Sequence, residues 1–142
     1  MLAIRTAAFT LLTTSALIGM PAAAAPGDTI LIAVLSGSAE TPPEAIDSTG
    51  TFHGRVNPAS GQLCYTLTSR NLDALTMAHI HVGAIGVAGP PVVVLSSDAP
   101  TETCIPVDKA VAAKLVDSPG DYYVNIHTAK YPKGAIRGQL TH

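Results

Sequence analysis

Apolar and polar residues alternate along most of the chain, which is the pattern of half-buried β-strands. In the segment QLCYTLT, for example, Leu63, Tyr65 and Leu67 share one face of a strand. Clusters of turn residues separate the alternating segments, as NPASG does at 57–61. The segments predicted as strands are 29–35, 49–56, 62–68, 76–82, 91–95, 122–128 and 134–140. Their length and spacing favour antiparallel pairing within one all-β domain.

A single segment has a helical pattern instead. Between residues 107 and 116, Val107, Val111 and Leu115 recur about once per helical turn, and Pro119 with Gly120 ends the pattern. We therefore predict an all-β fold, an antiparallel β-sandwich or barrel with one short helix.

The beginning of the chain differs in composition from the rest. Arg5 precedes an apolar stretch from 7 to 20, and small residues follow at 22–25. This order predicts a signal peptide over residues 1–24 and a mature domain over 25–142. An uncleaved anchor is the alternative, although the apolar stretch is shorter than the roughly 20 residues that cross a bilayer. The mature protein is then periplasmic or secreted and has no membrane span.

Composition limits the classes of function. Charged residues make up 13% of the 142 residues, and the formal net charge is −2. A single domain with so few cations is not expected to bind nucleic acid. Four of the ten acidic residues are predicted to lie in loops, without the pairing that glycoside hydrolysis requires. These four are Glu40, Glu44, Asp98 and Glu102.

The two cysteines, Cys64 and Cys104, both belong to the predicted mature domain. In an oxidising compartment one disulfide is their simplest state. It would close a loop of about 40 residues and stabilise the domain by about 3–4 kcal/mol. Two free thiols or a metal thiolate are the alternatives.

Histidine is the chemically active residue that clusters. His79 and His81 are two positions apart in a predicted strand, so both side chains point to the face opposite Ile80. His127 has the same relation to Ile126 in a later strand. If the two strands are neighbours, three imidazoles converge on the outer face of the sheet, a ligand set that suits Cu²⁺ or Zn²⁺. Ordinary surface or hydrogen-bonding histidines are the alternative interpretation.

Several motifs together closely resemble the CHRD domain, a module first named from chordin and common in small exported bacterial proteins. They are LSG at 35–37, ETPP at 40–43, AHIHVG at 78–83, AGP at 88–90, YYVNIHT at 122–128 and PKGAIRGQL at 132–140. The likeness extends over nearly the whole mature chain. It implies an envelope or extracellular module rather than a defined chemical activity.

The order of the motifs is also similar, more distantly, to Cu/Zn superoxide dismutase. In that family a His-x-His strand and a later histidine bind copper, and an arginine on the next strand guides superoxide to the metal. The resemblance implies an immunoglobulin-like, Greek-key antiparallel β-sandwich or barrel. It also implies that His79, His81 and His127 bind copper and that Arg137 attracts the anion. From the residues alone, the alternative is that Arg137 is a paired surface arginine or a donor to the carbonyls of the C-terminal loop.

The chain departs from the dismutase pattern in the loop after the His-x-His strand. Pro91 follows Gly89 and Pro90, where the dismutases place a bridging histidine, and residues 82–106 contain no histidine that could bind zinc. We therefore expect an exported binding or structural module with an envelope or extracellular protein partner and a copper site. A copper-dependent, superoxide dismutase-like redox protein is the alternative, and the sequence favours a module that is not an enzyme.

Overall fold

The computed structural model describes residues 27–142, so the predicted signal peptide at 1–24 lies outside the described residues. Short 3₁₀ turns at Gly37–Ala39 and Pro119–Asp121 accompany the strands and the helix. The strands are β1 (Thr29–Ser36), β2 (Thr49–Asn57), β3 (Gln62–Arg70), β4 (Leu75–Val82), β5 (Pro91–Leu95), β6 (Ala99–Pro106), β7 (Tyr122–Thr128) and β8 (Ile136–Gln139), and the helix is α1 (Lys109–Asp117).

The strands form one antiparallel sheet in the order β5-β4-β7-β8-β1-β2-β3-β6. The two strands in the middle of this order, β1 and β8, have the least backbone pairing with each other. They pair at Ser36 and Arg137, and a separate bridge joins Ile32 to Thr141. The sheet bends there into two halves, β5-β4-β7-β8 and β1-β2-β3-β6, which share one core. The prediction of an all-β antiparallel fold with one short helix is confirmed.

The core follows directly from the alternation of side chains. Leu31, Ala33 and Leu35 point inward from β1, and Ile80 and Ile126 point inward from the other half of the sheet. All five are at most 4% exposed. Burial of this apolar surface is the main stabilising contribution in a chain without tryptophan.

The helix closes one side of the core. Ala112 and Leu115 are its buried residues, and it contacts β2. It begins at Lys109 rather than at the predicted position 107, because the Asp108 side chain accepts hydrogen bonds from the Ala110 and Val111 N–H groups and caps the first turn. Within residues 27–142 no helix has the length and apolarity needed to cross a membrane.

Strand β6 was not predicted from the sequence. It has three consecutive polar residues in its middle and a proline near each end, features that favour a loop. The strand lies at one edge of the sheet, where prolines and charges are tolerated because one row of backbone groups faces away from the ladder. The expectation that Glu102 lies in a loop is therefore wrong, since it is in β6 and forms an ion pair with Arg55 of β2.

A disulfide between Cys64 and Cys104 ties β6 to β3, where the two residues are register partners. It joins the edge strand covalently to the strand that holds it. Because both cysteines take part in the bond, neither is available as a thiolate ligand.

We expect loss of this bond to destabilise the domain by about 3–4 kcal/mol, since it closes a long loop in the unfolded chain. The test is urea unfolding of the oxidised protein against the same protein kept reduced, with a Cys64→Ala/Cys104→Ala variant as the control for reductant effects. Equal midpoints for all three samples would contradict the structural role of the disulfide.

Candidate functional site

The pairing of β4 with β7 brings His79, His81 and His127 together, and these three residues are called the histidine cluster below. One ring nitrogen from each lies within 4.8 Å of the others. The His79 Nδ1 and His127 Nε2 atoms are 3.2 Å apart. The three imidazoles were predicted to converge if their two strands are neighbours, and they do converge because β4 pairs with β7.

Backbone carbonyls determine the orientation and protonation of two of these imidazoles. The Nδ1 atom of His81 lies 2.8 Å from the Gly89 carbonyl oxygen, and the Nδ1 atom of His127 lies 3.1 Å from that of Pro132. A carbonyl oxygen can only accept, so both Nδ1 atoms carry the proton and donate it. In the neutral rings both Nε2 atoms therefore present lone pairs.

The Nε2 atom of His81 is inaccessible to solvent and has no hydrogen-bond partner. Such a buried and unpartnered polar atom costs free energy, and in a native protein it points to an ion or a water. The residues around it fit a metal ion. The lone pairs of His81 Nε2 and His127 Nε2 are available, and His79 can offer Nδ1 once its proton is on Nε2.

Electrostatics keeps the cluster uncharged. Burial lowers the pKa of His79, His81 and His127 below the ordinary value for histidine. The positive charge of Arg137 further lowers the pKa of His81. Because neutral imidazole is the form that binds metal ions, the site needs no deprotonation near neutral pH.

These side chains lie on the face opposite the core, as predicted, but they are not at an exposed surface: His79 and His81 are partly buried and loops cover much of this face. His127 and Arg137 are each 6% exposed, and Asn125, between them on the same face, is 1% exposed. Loop residues cover this face, namely Glu40 after β1, Gly89 before β5 and Pro132 before β8. The alternation identified the face correctly but could not show that loops fold over it.

Arg137 is fixed in this covering layer by an ion pair with Glu40. Its Nε and Nη2 atoms each lie 2.8 Å from Glu40 Oε2, and its Nη1 atom donates to the Val87 carbonyl oxygen at 3.2 Å. Asn125 donates to the other oxygen of the Glu40 carboxylate. Arg137 is thus paired, as one alternative expected, but it is buried rather than at the surface, and its carbonyl partner lies in the loop between β4 and β5 rather than in the C-terminal loop.

Glu40 was missed as a site residue because it was placed in a loop without a partner. Its partner lies 97 residues away along the chain, beyond the reach of any local pattern. Burial raises the pKa of the Glu40 carboxyl, and the charge and hydrogen bonds of Arg137 counter that shift. Gly134, at φ +142°, leaves room for the contact, because a Cβ atom there would lie 2.6 Å from both Glu40 Oε1 and Asn125 Nδ2.

The remaining histidines of the described chain lie elsewhere. His53 is exposed on β2, in the other half of the sheet. His142 places its Nε2 atom 2.9 Å from the Val116 carbonyl oxygen. Neither belongs to the histidine cluster, and His53 therefore serves as a control for metal binding.

The family model of the CHRD domain matches residues 31–140, and the chain belongs to this family. The resemblance drawn from the motifs is confirmed over nearly the whole described range. A search of curated proteins found no match, and neither did a search of solved structures.

We expect Arg137→Met to destabilise the domain by about 3–5 kcal/mol, because it leaves the Glu40 carboxylate buried without a cation. A Glu40→Met/Arg137→Met double variant recovers much of that loss, since no buried charge remains. Urea unfolding monitored by circular dichroism measures both effects.

Arg55→Met is the comparison, because Arg55 pairs with the exposed carboxylate of Glu102 and with Asp28, whose carboxylate keeps a hydrogen bond from Asn57 when Arg55 is removed. Its loss of stability is expected to be much smaller. An Arg137 variant no less stable than the Arg55 variant would contradict the importance of the buried pair.

Proposed function

We propose that this protein is an exported binding module of the cell envelope or extracellular space that holds one copper ion through His79, His81 and His127. The observation that carries the proposal is the convergence of three ring nitrogens within 4.8 Å, one of them buried without a partner. Membership of the CHRD family supports the broader part, a binding or structural module.

The hydrogen bonds around the cluster support metal binding more than a purely structural role. Histidines that bind metals usually donate their second ring N–H to a carbonyl or carboxylate, which fixes the ring and raises its basicity. His81 and His127 both have this arrangement, with Gly89 and Pro132 as acceptors. A structural pair would instead use both nitrogens of each ring, and His81 Nε2 has no partner.

Copper is favoured over zinc by the chemistry of the donors. Imidazole nitrogen suits both ions, but a given nitrogen site binds Cu²⁺ more tightly than Zn²⁺ along the first-row series. The described residues at the cluster bring no carboxylate or thiolate among the candidate ligands. Three neutral nitrogens would leave a coordination position for a further ligand such as water.

We favour binding over superoxide chemistry because of the surroundings of Arg137. Its guanidinium is paired with the Glu40 carboxylate and its side chain is 7% exposed. The carboxylate offsets the positive charge that would attract an anion, and little of the guanidinium faces solvent. Anion guidance by Arg137 and dismutase-like activity remain the alternative prediction.

Export and an extracellular partner complete the proposal. The apolar segment at 7–20, followed by small residues, supports removal of residues 1–24. The disulfide between Cys64 and Cys104 is compatible with an oxidising compartment such as the periplasm or the extracellular space. The partner is expected to be an envelope or extracellular protein.

We expect the metal-free protein to bind one Cu²⁺ ion per chain, and Zn²⁺ more weakly. His79→Ala/His81→Ala should lower the Cu²⁺ affinity by at least about 100-fold, since it removes two ligands and not merely a supporting residue. Competition titration against a chelator of known affinity measures the change.

His53→Ala is the matched control, because it removes an exposed histidine from the other half of the sheet. Its affinity for Cu²⁺ should equal that of the unaltered protein. If the double variant binds as tightly as the control, the histidine cluster is not the metal site.

For export, we expect material secreted by a bacterial host to begin at Ala25 and to resist alkylation until it is reduced. Intact-mass spectrometry before and after reduction measures both properties. Protein that keeps residues 1–24, or that is alkylated at both cysteines without reduction, would contradict the proposed location.

A further inference from the structure

We propose that Tyr123 is the positioning residue of the metal site, and that it holds the His81 ring so that Nε2 is directed at the bound ion. The inference rests on the proposed copper site and deepens it. Tyr123 is 2% exposed.

The two rings are stacked. Tyr123 and His81 are register partners on β7 and β4, so their side chains leave the same face side by side. Their ring centroids are 4.9 Å apart and their planes differ by 7°. By contrast, His79 meets His81 edge-on, at an interplanar angle of 90°. The Tyr123 ring is thus the flat surface against which the His81 imidazole lies.

Both rings also form hydrogen bonds with the same residue, Gly89. His81 Nδ1 donates to the Gly89 carbonyl oxygen at 2.8 Å, and the Gly89 N–H group donates to the Tyr123 hydroxyl oxygen at 3.2 Å. Gly89 has no space for a side chain, because a Cβ atom there would collide with the Val82 carbonyl oxygen. The loop can therefore approach closely enough to hold both rings.

The Tyr123 ring also contacts Arg137. The guanidinium carbon lies over the ring, 4.2 Å from its centroid, a cation–π distance. Because Glu40 holds that guanidinium by two nitrogens, the tyrosine ring that stacks on His81 is itself held by a buried ion pair. Rotation of His81 away from the cluster would break both its stacking and its hydrogen bond to Gly89.

The test compares Cu²⁺ binding and the electron paramagnetic resonance spectrum of Tyr123→Leu with those of the unaltered protein. We expect Tyr123→Leu to lower the affinity by about 10- to 100-fold, the usual effect of losing a residue that orients a metal ligand. Its nitrogen hyperfine pattern should change from three imidazoles to a mixture that contains fewer. Tyr123→Phe keeps the ring and should lose less of the affinity for Cu²⁺.

Tyr65 provides a closely matched control in the other half of the sheet. It is equally buried, stacks on Phe52 at 5.7 Å, and accepts a hydrogen bond from the Ser96 N–H group at 2.7 Å. Tyr65→Leu and Tyr65→Phe should lower the melting temperature without changing the affinity or the spectrum. A purely structural tyrosine at 123 would behave in the same way.

The outcomes separate the two proposals. If Tyr123→Leu keeps the affinity and spectrum of the unaltered protein while His79→Ala/His81→Ala loses copper, the copper site stands and the role of Tyr123 is overturned. If the unaltered protein binds no copper, both are overturned.

If Tyr123→Leu does not fold, the role of Tyr123 is tested by the Cu²⁺ affinity and spectrum of Tyr123→Phe and by nitrogen NMR of the metal-free unaltered protein. We expect His81 to show one tautomer, protonated at Nδ1, and rapid exchange between two tautomers would overturn the proposal.

Discussion

The buried ion pair between Glu40 and Arg137 is the constraint on which the arrangement of the histidine site depends. It connects the loop after β1 to β8, across 97 residues of chain. Removing two charges from water is costly, and the hydrogen bonds from Asn125 and to the Val87 carbonyl compensate part of that cost. Because Arg137 also stacks on Tyr123, the position of the pair determines the position of the layer that covers the histidines.

The site itself is built from uncharged groups. Backbone carbonyls of Gly89 and Pro132 orient two imidazoles, and burial keeps the three rings neutral by lowering their pKa values. The proposed metal site therefore needs no carboxylate ligand, in a chain with only 13% charged residues. Its selectivity then depends on the nitrogen donors and on the rigidity of the loops around them.

The sequence predicted the parts of this structure that depend on alternation. Alternation in β4 and β7 is a property of neighbouring residues, and it correctly placed His79 and His81 on one face, opposite Ile80. The family resemblance, carried by the motifs, was also correct. Whether a face is open or covered depends instead on loops that are distant in sequence, so the burial of His127 was not predicted.

Contacts between segments distant in sequence also explain why Glu40 and strand β6 were not predicted. Glu40 has no local feature that distinguishes it from a solvated loop acid, and its role appears only when β8 is beside it. Strand β6 is an edge strand and brings only Ala99 and Ile105 to the core, so it has no continuous alternating pattern and is held by pairing with β3 and by a disulfide.

The most direct test of the account is X-ray absorption spectroscopy of the copper-loaded protein, which identifies the atoms bound to the metal. Copper held by the histidine cluster should show scattering from three imidazole rings, with no sulfur ligand. A spectrum with one imidazole or none, or with sulfur bound to copper, would contradict a site formed by His79, His81 and His127.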